Sequence, residues 1–63
     1  MLKEHERVVL LTAAAAEGLE AGDVGTIVHV YRDGQAYEVE FVAADGSTVG
    51  LLTLTDSDIE SAG

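Results

Sequence analysis

Apolar and polar residues alternate strictly along one segment of the chain, Ala36–Val42. One side of the alternation holds Tyr37, Val39 and Phe41, and the other side holds Glu38 and Glu40. A period of two is the pattern of a strand with one buried face. The segment therefore predicts a strand whose aromatic residues lie in a core and whose glutamates face water.

Three other runs predict strands that can pair with this one. Arg7–Thr12 is aliphatic and β-branched, Val24–Arg32 follows a glycine-bracketed turn, and Ser47–Leu54 carries Gly50 in its middle. An interior glycine marks a bulge, a bend or a close backbone approach. Ile59 can return an apolar side chain to the core as a minimal fifth strand.

Turn signals separate the predicted strands. The structural turn residues are Gly22, Asp23, Gly25, Asp33, Gly34, Asp45 and Gly46. Glycine accepts positive φ and aspartate bonds nearby amides, so Asp-Gly is a strong hairpin signal. We expect Asp23 to cap its turn through downstream amides. We also expect Thr55 or Asp56 to cap a short C-terminal 3-10 turn.

The segment Ala13–Asp23 is predicted to be a long, structured loop with room for one helical turn. Its alanines favour helix, but Gly18 and Gly22 interrupt it too soon for a stable one. The chain is then a single domain, 1–63, with frayed ends at 1–5 and 60–63.

These elements predict an all-β fold. The favoured form is a small SH3-like barrel of four to five antiparallel strands, with a long first loop and a C-terminal 3-10 turn. Closing the sheet lets a short chain surround one core and limits exposed edges. The alternative is an open four-stranded meander that dimerises edge to edge.

Size and charge narrow the possible functions. A chain of 63 residues is near the lower limit for independent folding, and domains of this size often rely on a partner subunit. The net charge is −9, with twelve acidic against three basic residues. This balance disfavours nucleic acid and anionic membranes, and it suits a basic protein partner or simple solubility. The chain has no cysteine, which fits a cytoplasmic location.

The N-terminus imitates an export signal. MLKEHER followed by VVLLTAAAA has the layout of a charged region, an apolar region and a small-residue cleavage site. Two glutamates remove the positive character of the charged part, and cleavage would delete the first strand. We therefore expect no signal peptide, and no apolar run reaches the ~20 residues of a membrane span.

The stretches GLEAGDVGTIVHVY, AYEVEF and LLTL belong to a pattern that covers about Leu2 to Ile59. In this pattern the chain resembles a family of small, mostly bacterial, stand-alone proteins, the domain of unknown function 4926. The resemblance implies the fold but no agreed activity. Such genes often lie beside toxin-like genes, which implies an antitoxin-like or immunity role, or that of an accessory subunit.

Two segments depart from this family pattern. TDSDIESAG stands where relatives carry a proline and a basic residue, which bears on the fifth strand. Ala13–Ala16 is simpler than the acidic, proline-bearing loop expected, which bears on any partner contact made there. The GDVGTIV core is also similar to KOW-type barrels, which bind RNA or protein. A nucleic-acid-associated barrel and a self-associating structural domain are therefore the alternative functions.

Candidate chemical sites are weak, and we expect no enzyme and no cofactor. Gly22–Gly25 lacks the spacing, lysine and following helix of a phosphate loop. His5 and His29 are too few and too distant for a zinc site. Glu38 and Glu40 lie about 7 Å apart on one strand face, given a rise of ~3.4 Å per residue. They are more typical of a solvated face than of an acid–base pair.

Apolar residues that do not fit one small core predict a protein contact. Val9, Leu11 and Leu52 alternate with residues already assigned to the core, so some must face outward. The candidate contact residues are Val9, Leu11, Leu19, Leu52, Glu38 and Glu40. The predicted function is a non-enzymatic protein–protein interaction module that binds another protein or itself.

Overall fold

A computed structural model describes residues 2–43 and 45–63, except for the side chain of Asp33. Within these residues the chain forms one antiparallel sheet of five strands in the order β4-β3-β2-β1-β5. The strands are β1 (Arg7–Leu10), β2 (Val24–Tyr31), β3 (Ala36–Val42), β4 (Thr48–Leu54) and β5 (Ile59–Ser61). Short 3-10 turns occupy Ala15–Glu17 and Arg32–Gly34.

The predicted all-β class is confirmed, and the sheet is consistent with a small barrel-like fold. Neighbours in sequence pair from β1 through β4, and β5 returns to the free side of β1. The third strand has the predicted bounds, and the fifth strand forms in spite of the unusual C-terminal sequence. The narrower SH3-like assignment stays a prediction.

The core is built from one face of the sheet and from one loop residue. Its buried side chains are Val8, Leu10, Leu19, Ile27, Tyr37, Val39, Phe41 and Ile59. Leu2, Ala14, Val30, Leu52 and Leu54 pack against them. The alternation in β3 places its three apolar residues inside, as the sequence predicts.

A bulge at Val28 divides β2 into halves of opposite orientation. Ile27 pairs with Val39 and His29 pairs with Glu38, so Val28 is an extra residue without a partner on β3. His29 and Tyr31 therefore share an exposed face, and their rings meet edge to face with centroids 4.5 Å apart. Regular alternation along β2 would place His29 on the same face as Ile27, and the inserted residue reverses this.

Gly25 is a packing position and not the turn residue that the sequence predicts. It lies inside β2, opposite Phe41. A Cβ at Gly25 would lie 2.7 Å from Val39 Cγ1, 2.8 Å from Phe41 Cε1 and 2.9 Å from Glu40 O. The missing side chain lets the backbone of β2 approach its neighbour β3 closely, and this bends the sheet around the core.

The turn before β2 is closed by Gly22 and Asp23. Gly22 has φ +99, so the predicted need for glycine holds there. The backbone N–H of Glu20 donates to Asp23 Oδ2 at 2.9 Å. Asp23 thus caps an upstream amide and not the downstream ones predicted. Gly22 N–H also donates to Leu10 O at 2.8 Å, which fastens the loop to β1.

The two β-hairpins use longer connections than a two-residue turn. Between β2 and β3 the chain makes a 3-10 turn in which Arg32 has φ +41 and Gly34 has φ +90, and Gln35 N–H donates to Tyr31 O. Between β3 and β4, Gly46 has φ +90, and Asp45 Oδ1 accepts from both the amide and the hydroxyl of Ser47. These bonds hold the pKa of Asp45 below its usual value.

Asp58, and not Thr55 or Asp56, caps the C-terminal turn. Its Oδ2 accepts from the Thr55 amide at 3.0 Å, and Asp58 N–H donates to Thr55 O at 2.9 Å. Asp56 instead accepts from the buried Tyr37 hydroxyl at 2.9 Å. The centre of the sheet therefore fixes the turn that delivers Ile59 to the core.

Both chain ends are hydrogen-bonded to the sheet. His5 N–H donates to Ile27 O at 2.6 Å. Glu60 and Ser61 lie in β5, and Ala62 N–H donates to Arg7 O at 2.9 Å. The sequence places 1–5 and 60–63 among the frayed ends, whereas the structure gives backbone partners within both segments.

Replacing Gly25 with alanine is expected to destabilise the fold by about 1 to 3 kcal/mol, because the new methyl group clashes with packed side chains and backbone. Gly50→Ala is the matched control, since its nearest atoms, on Glu17, lie 4.0 Å from an added Cβ. Urea denaturation of both variants measures the difference. Equal loss of stability in the two variants would contradict the proposed close approach of β2 to β3 at Gly25.

Tyr37→Phe is expected to cost about 1 kcal/mol through the lost hydrogen bond to Asp56. Burial first, and the Asp56 bond second, raise the pKa of Tyr37. The unfolded chain therefore ionises at about pH 10, before the folded one does, and wild-type stability falls as pH rises further. Urea midpoints between about pH 8 and about pH 11 should show the gap to Tyr37→Phe narrowing. Tyr31→Phe compares an exposed hydroxyl, and its loss of stability near pH 8 should be smaller than that of Tyr37→Phe. A gap independent of pH would count against this reading.

Candidate protein-contact surface

The outer face of the sheet carries a cluster of valines that the core does not use. We call Val9, Val24, Val42 and Val49 the outer valine patch. Val9 and Val24 are directly paired between β1 and β2. Val24, Val42 and Val49 are 40%, 49% and 41% exposed, respectively, so the cluster is open to solvent. Contiguous exposed aliphatic groups of this kind mark interaction sites more often than single exposed ones.

A groove runs beside this patch, where the first loop meets the ends of β2, β3 and β4. Its volume is about 240 Å³. The lining residues are Gly18, Leu19, Asp23, Val24, Phe41, Val42, Ala43 and Val49. A bulge at Val49 contributes to this shape, because Phe41 pairs with Gly50 whereas Val42 pairs with Thr48. The lining side chains are apolar apart from Asp23, although polar atoms supply the larger part of the exposed lining.

Acidic side chains border the patch on several sides. Glu60 is paired with Val9 on the β5 side, and Asp23 lines the groove. Glu40 lies between Thr26 and Leu51 on the neighbouring row of the same face. An apolar surface with such a border complements an aliphatic segment flanked by Lys or Arg.

Two of the predicted contact residues, Leu19 and Leu52, pack toward the core. Leu19 is 4% exposed and belongs to the core, because the loop folds its side chain back under the sheet. Leu52 is half-buried and packs against the core, because it lies on the inner face of β4. Both predicted contacts are therefore corrected to packing positions.

The remaining predicted contacts lie in three separate places. Val9 belongs to the outer valine patch, and Leu11 is 42% exposed just after β1. Glu38 and Glu40 are half-buried on the outer face of β3. The sequence prediction does not include Val24, Val42 and Val49. Alternation along β2 and β3 places Val24 and Val42 on the outward side and could have indicated them, whereas the outward position of Val49 depends on the bulge in β4.

Glu38 is the centre of a small polar network on the outer face. Its Oε1 accepts from Thr53 Oγ1 at 2.7 Å and from the Tyr31 hydroxyl at 3.2 Å. The bond to Glu38 raises the pKa of Tyr31. His29, paired with Glu38 across the strands, has its Nδ1 3.7 Å from Glu4 Oε2. The network joins the N-terminal segment to the sheet and contains no activated nucleophile.

A second, larger depression of about 450 Å³ lies at the β1–β5 side, lined by Glu6, Arg7, Val24, Ser61, Ala62 and Gly63. Hydrogen bonding to the Ser61 hydroxyl and to the Lys3 amide holds the pKa of Glu6 below its usual value. An acid whose proton is so easily lost is poorly suited to act as a general acid near neutral pH.

Across residues 2–43 and 45–63, no three His, Asp or Glu side chains gather closely enough to hold a metal ion. Over the same residues, no helix is long and apolar enough to cross a membrane.

The fold and surface define a small acidic all-β domain with an exposed apolar face. The chain belongs to the family described as Domain of unknown function (DUF4926), whose pattern matches residues 4–61. This confirms the family resemblance across nearly the whole domain. No curated protein and no solved structure matches the chain.

Leu19→Ala is expected to destabilise the protein by about 2 to 5 kcal/mol, because it opens a cavity in a small core. Leu11→Ala, at a candidate contact residue that is exposed, is the control and should change stability by less than about 0.5 kcal/mol. Thermal and urea unfolding of the two variants compare these losses. A mild effect of Leu19→Ala would return this residue to the list of surface contacts.

Proposed function

We propose that the protein is a non-enzymatic interaction module whose outer valine patch binds a basic protein. The observation that carries the proposal is the exposure of three valines around one groove, on a chain whose net charge is −9. Burying such side chains against a partner yields about 25 cal/mol per Å² of apolar surface.

Charge supports a basic partner over an acidic or nucleic-acid one. The carboxylates of Glu40, Glu60 and Asp23 border the patch, and a cationic partner would meet complementary potential there. A nucleic-acid-associated barrel needs cationic side chains for phosphates, and the whole chain has three. The same shortage disfavours an anionic membrane surface.

A narrower form of the proposal gives the chain an antitoxin-like or immunity role, or that of an accessory subunit. An acidic chain that covers a basic functional surface on its partner would inhibit or stabilise that partner. Co-expression with a neighbouring toxin-like gene tests this form. Restored growth supports it, and unrelieved toxicity at full expression contradicts it.

Val42→Asp is expected to weaken partner binding at least about tenfold, which corresponds to about 1.4 kcal/mol. The new carboxylate would have to be desolvated inside an apolar contact. Affinity purification of the tagged protein from its source, followed by quantitation of one identified basic protein and titration with it, measures the effect.

Val28→Asp is the matched control, because Val28 is 39% exposed and lies four residues further along β2 than Val24. This variant should bind like the wild type. Binding should also weaken as salt increases, since the attraction is between opposite charges. Equal retention by both variants, or binding that salt strengthens, would refute the proposed surface.

A further inference from the structure

The edge of β4 is unusual for a sheet of this size. β4 ends the strand order and has a strand on one side only. In the described part of the chain, the backbone hydrogen bonds that join loops and separate segments do not involve Thr48–Leu54. In an antiparallel edge strand, alternate N–H and C=O groups point away from the sheet and need a partner or water.

The sequence of this edge lacks the usual protection against pairing. The nine residues from Ser47 to Thr55, STVGLLTLT, contain no charge, although 24% of the chain is charged. Edge strands are commonly guarded by lysine, proline or an inward-pointing charge, and the chain contains no proline. The bulge at Val49 bends one end of the strand, but Gly50–Leu54 stays regular.

We infer that the β4 edge pairs with the β4 edge of a second copy, so that two sheets join into one. An antiparallel two-fold arrangement that pairs all seven residues places Leu51 opposite Leu51 of the second copy. Leu51 is 54% exposed, the highest exposure among the large apolar residues of the described chain. Side chains directly opposite each other lie about 5 Å apart, so the two leucines pack on the axis.

This register suits the other side chains of the strand. Val49 would face Thr53 of the second copy, and Gly50 would face Leu52. Thr53 keeps its hydrogen bond to Glu38, because that bond points from β4 toward β3 and not toward the free edge. Each pairing is apolar or neutral.

The distribution of charge favours a second copy of the chain over a basic strand as the partner that pairs with the β4 edge. Glu38 and Glu40 lie one strand back from the edge, opposite Thr53 and Leu51. In the dimer, carboxylates on the two β3 strands are three strand spacings apart, about 14 Å, which exceeds the screening length of about 8 Å at physiological salt. The second copy therefore fits a neutral edge at ordinary ionic strength, and a basic strand would find no carboxylate on the edge itself.

The inference goes beyond the proposed function, and Val49 is the one residue that belongs both to the outer valine patch and to the β4 edge. The outer valine patch acts through side chains on one face, whereas the β4 edge acts through backbone groups and Leu51. The two can fail separately: Val42→Asp should leave the dimer intact, and a substitution of Leu51 should leave the patch intact.

The test is the mass of the full chain in solution by light scattering and sedimentation over a range of concentrations. We expect a species of twice 6.6 kDa, whose dissociation constant changes by less than about threefold as salt rises from about 0.1 to about 0.5 M. This small response separates the pairing of a neutral edge from binding to a basic partner, which salt weakens. A monomer at all concentrations overturns the inference.

Charge substitutions locate the interface. Leu51→Lys and Leu51→Glu should each be monomeric, and an equimolar mixture should form a dimer because the opposite charges meet on the axis. Val28→Lys, at a similarly exposed residue on β2, should remain dimeric. Far-ultraviolet circular dichroism checks that each variant is folded. A dimer that survives Leu51→Lys, or folded variants that do not pair when mixed, refutes the register.

Amide hydrogen exchange tests the backbone bonds directly. In the wild-type dimer, slow exchange should extend over consecutive amides of Thr48–Leu54. In folded Leu51→Lys, alternate amides should exchange at least about tenfold faster, because an edge strand exposes every second one. Alternating protection in a wild-type dimer would show that the copies meet elsewhere and would overturn the edge pairing.

Discussion

The fold depends on a close approach between two neighbouring strands, β2 and β3, that leaves no space for a side chain at Gly25. At Gly25 the backbone of β2 runs against Val39, Glu40 and Phe41, and this contact lets a sheet of short strands bend around eight buried side chains. A core so small cannot tolerate a gap, because there are few other contacts to compensate for it.

The part of this fold that the sequence predicts well is the part governed by local alternation. The segment Ala36–Val42 shows its buried and exposed faces directly, and the all-β class, strand sequence and long loop follow from similar patterns. The family pattern over residues 4–61 agrees with that reading. Local alternation works here because the extra residues at the two bulges, Val28 and Val49, lie in the neighbouring strands, so β3 keeps its own alternation between two flanking strands.

What the sequence did not predict depends on pairing between distant segments. The inserted residue at Val28 reverses the faces of His29 and Tyr31, and nothing within β2 itself reveals it. The sequence places Leu19 among the surface contacts, yet the loop folds it into the core. The C-terminal cap is Asp58 and not the predicted Thr55 or Asp56, because Asp56 accepts instead from Tyr37 of the distant strand β3. For the same reason the outer valine patch becomes visible only when four strands are placed side by side.

The bulge at Val28 also has a consequence for comparing this chain with its relatives. Before it, odd-numbered residues of β2 face inward, and after it Val30 does, so the two halves of one strand follow opposite parities. A homologue that lacks the inserted residue would keep His29 and Tyr31 outward and Val30 inward, because regular alternation after Ile27 gives these same faces. Alignment gaps within the family should therefore be judged by side-chain parity on each side of Val28, and a gap placed elsewhere in β2 would superpose inward positions on outward ones.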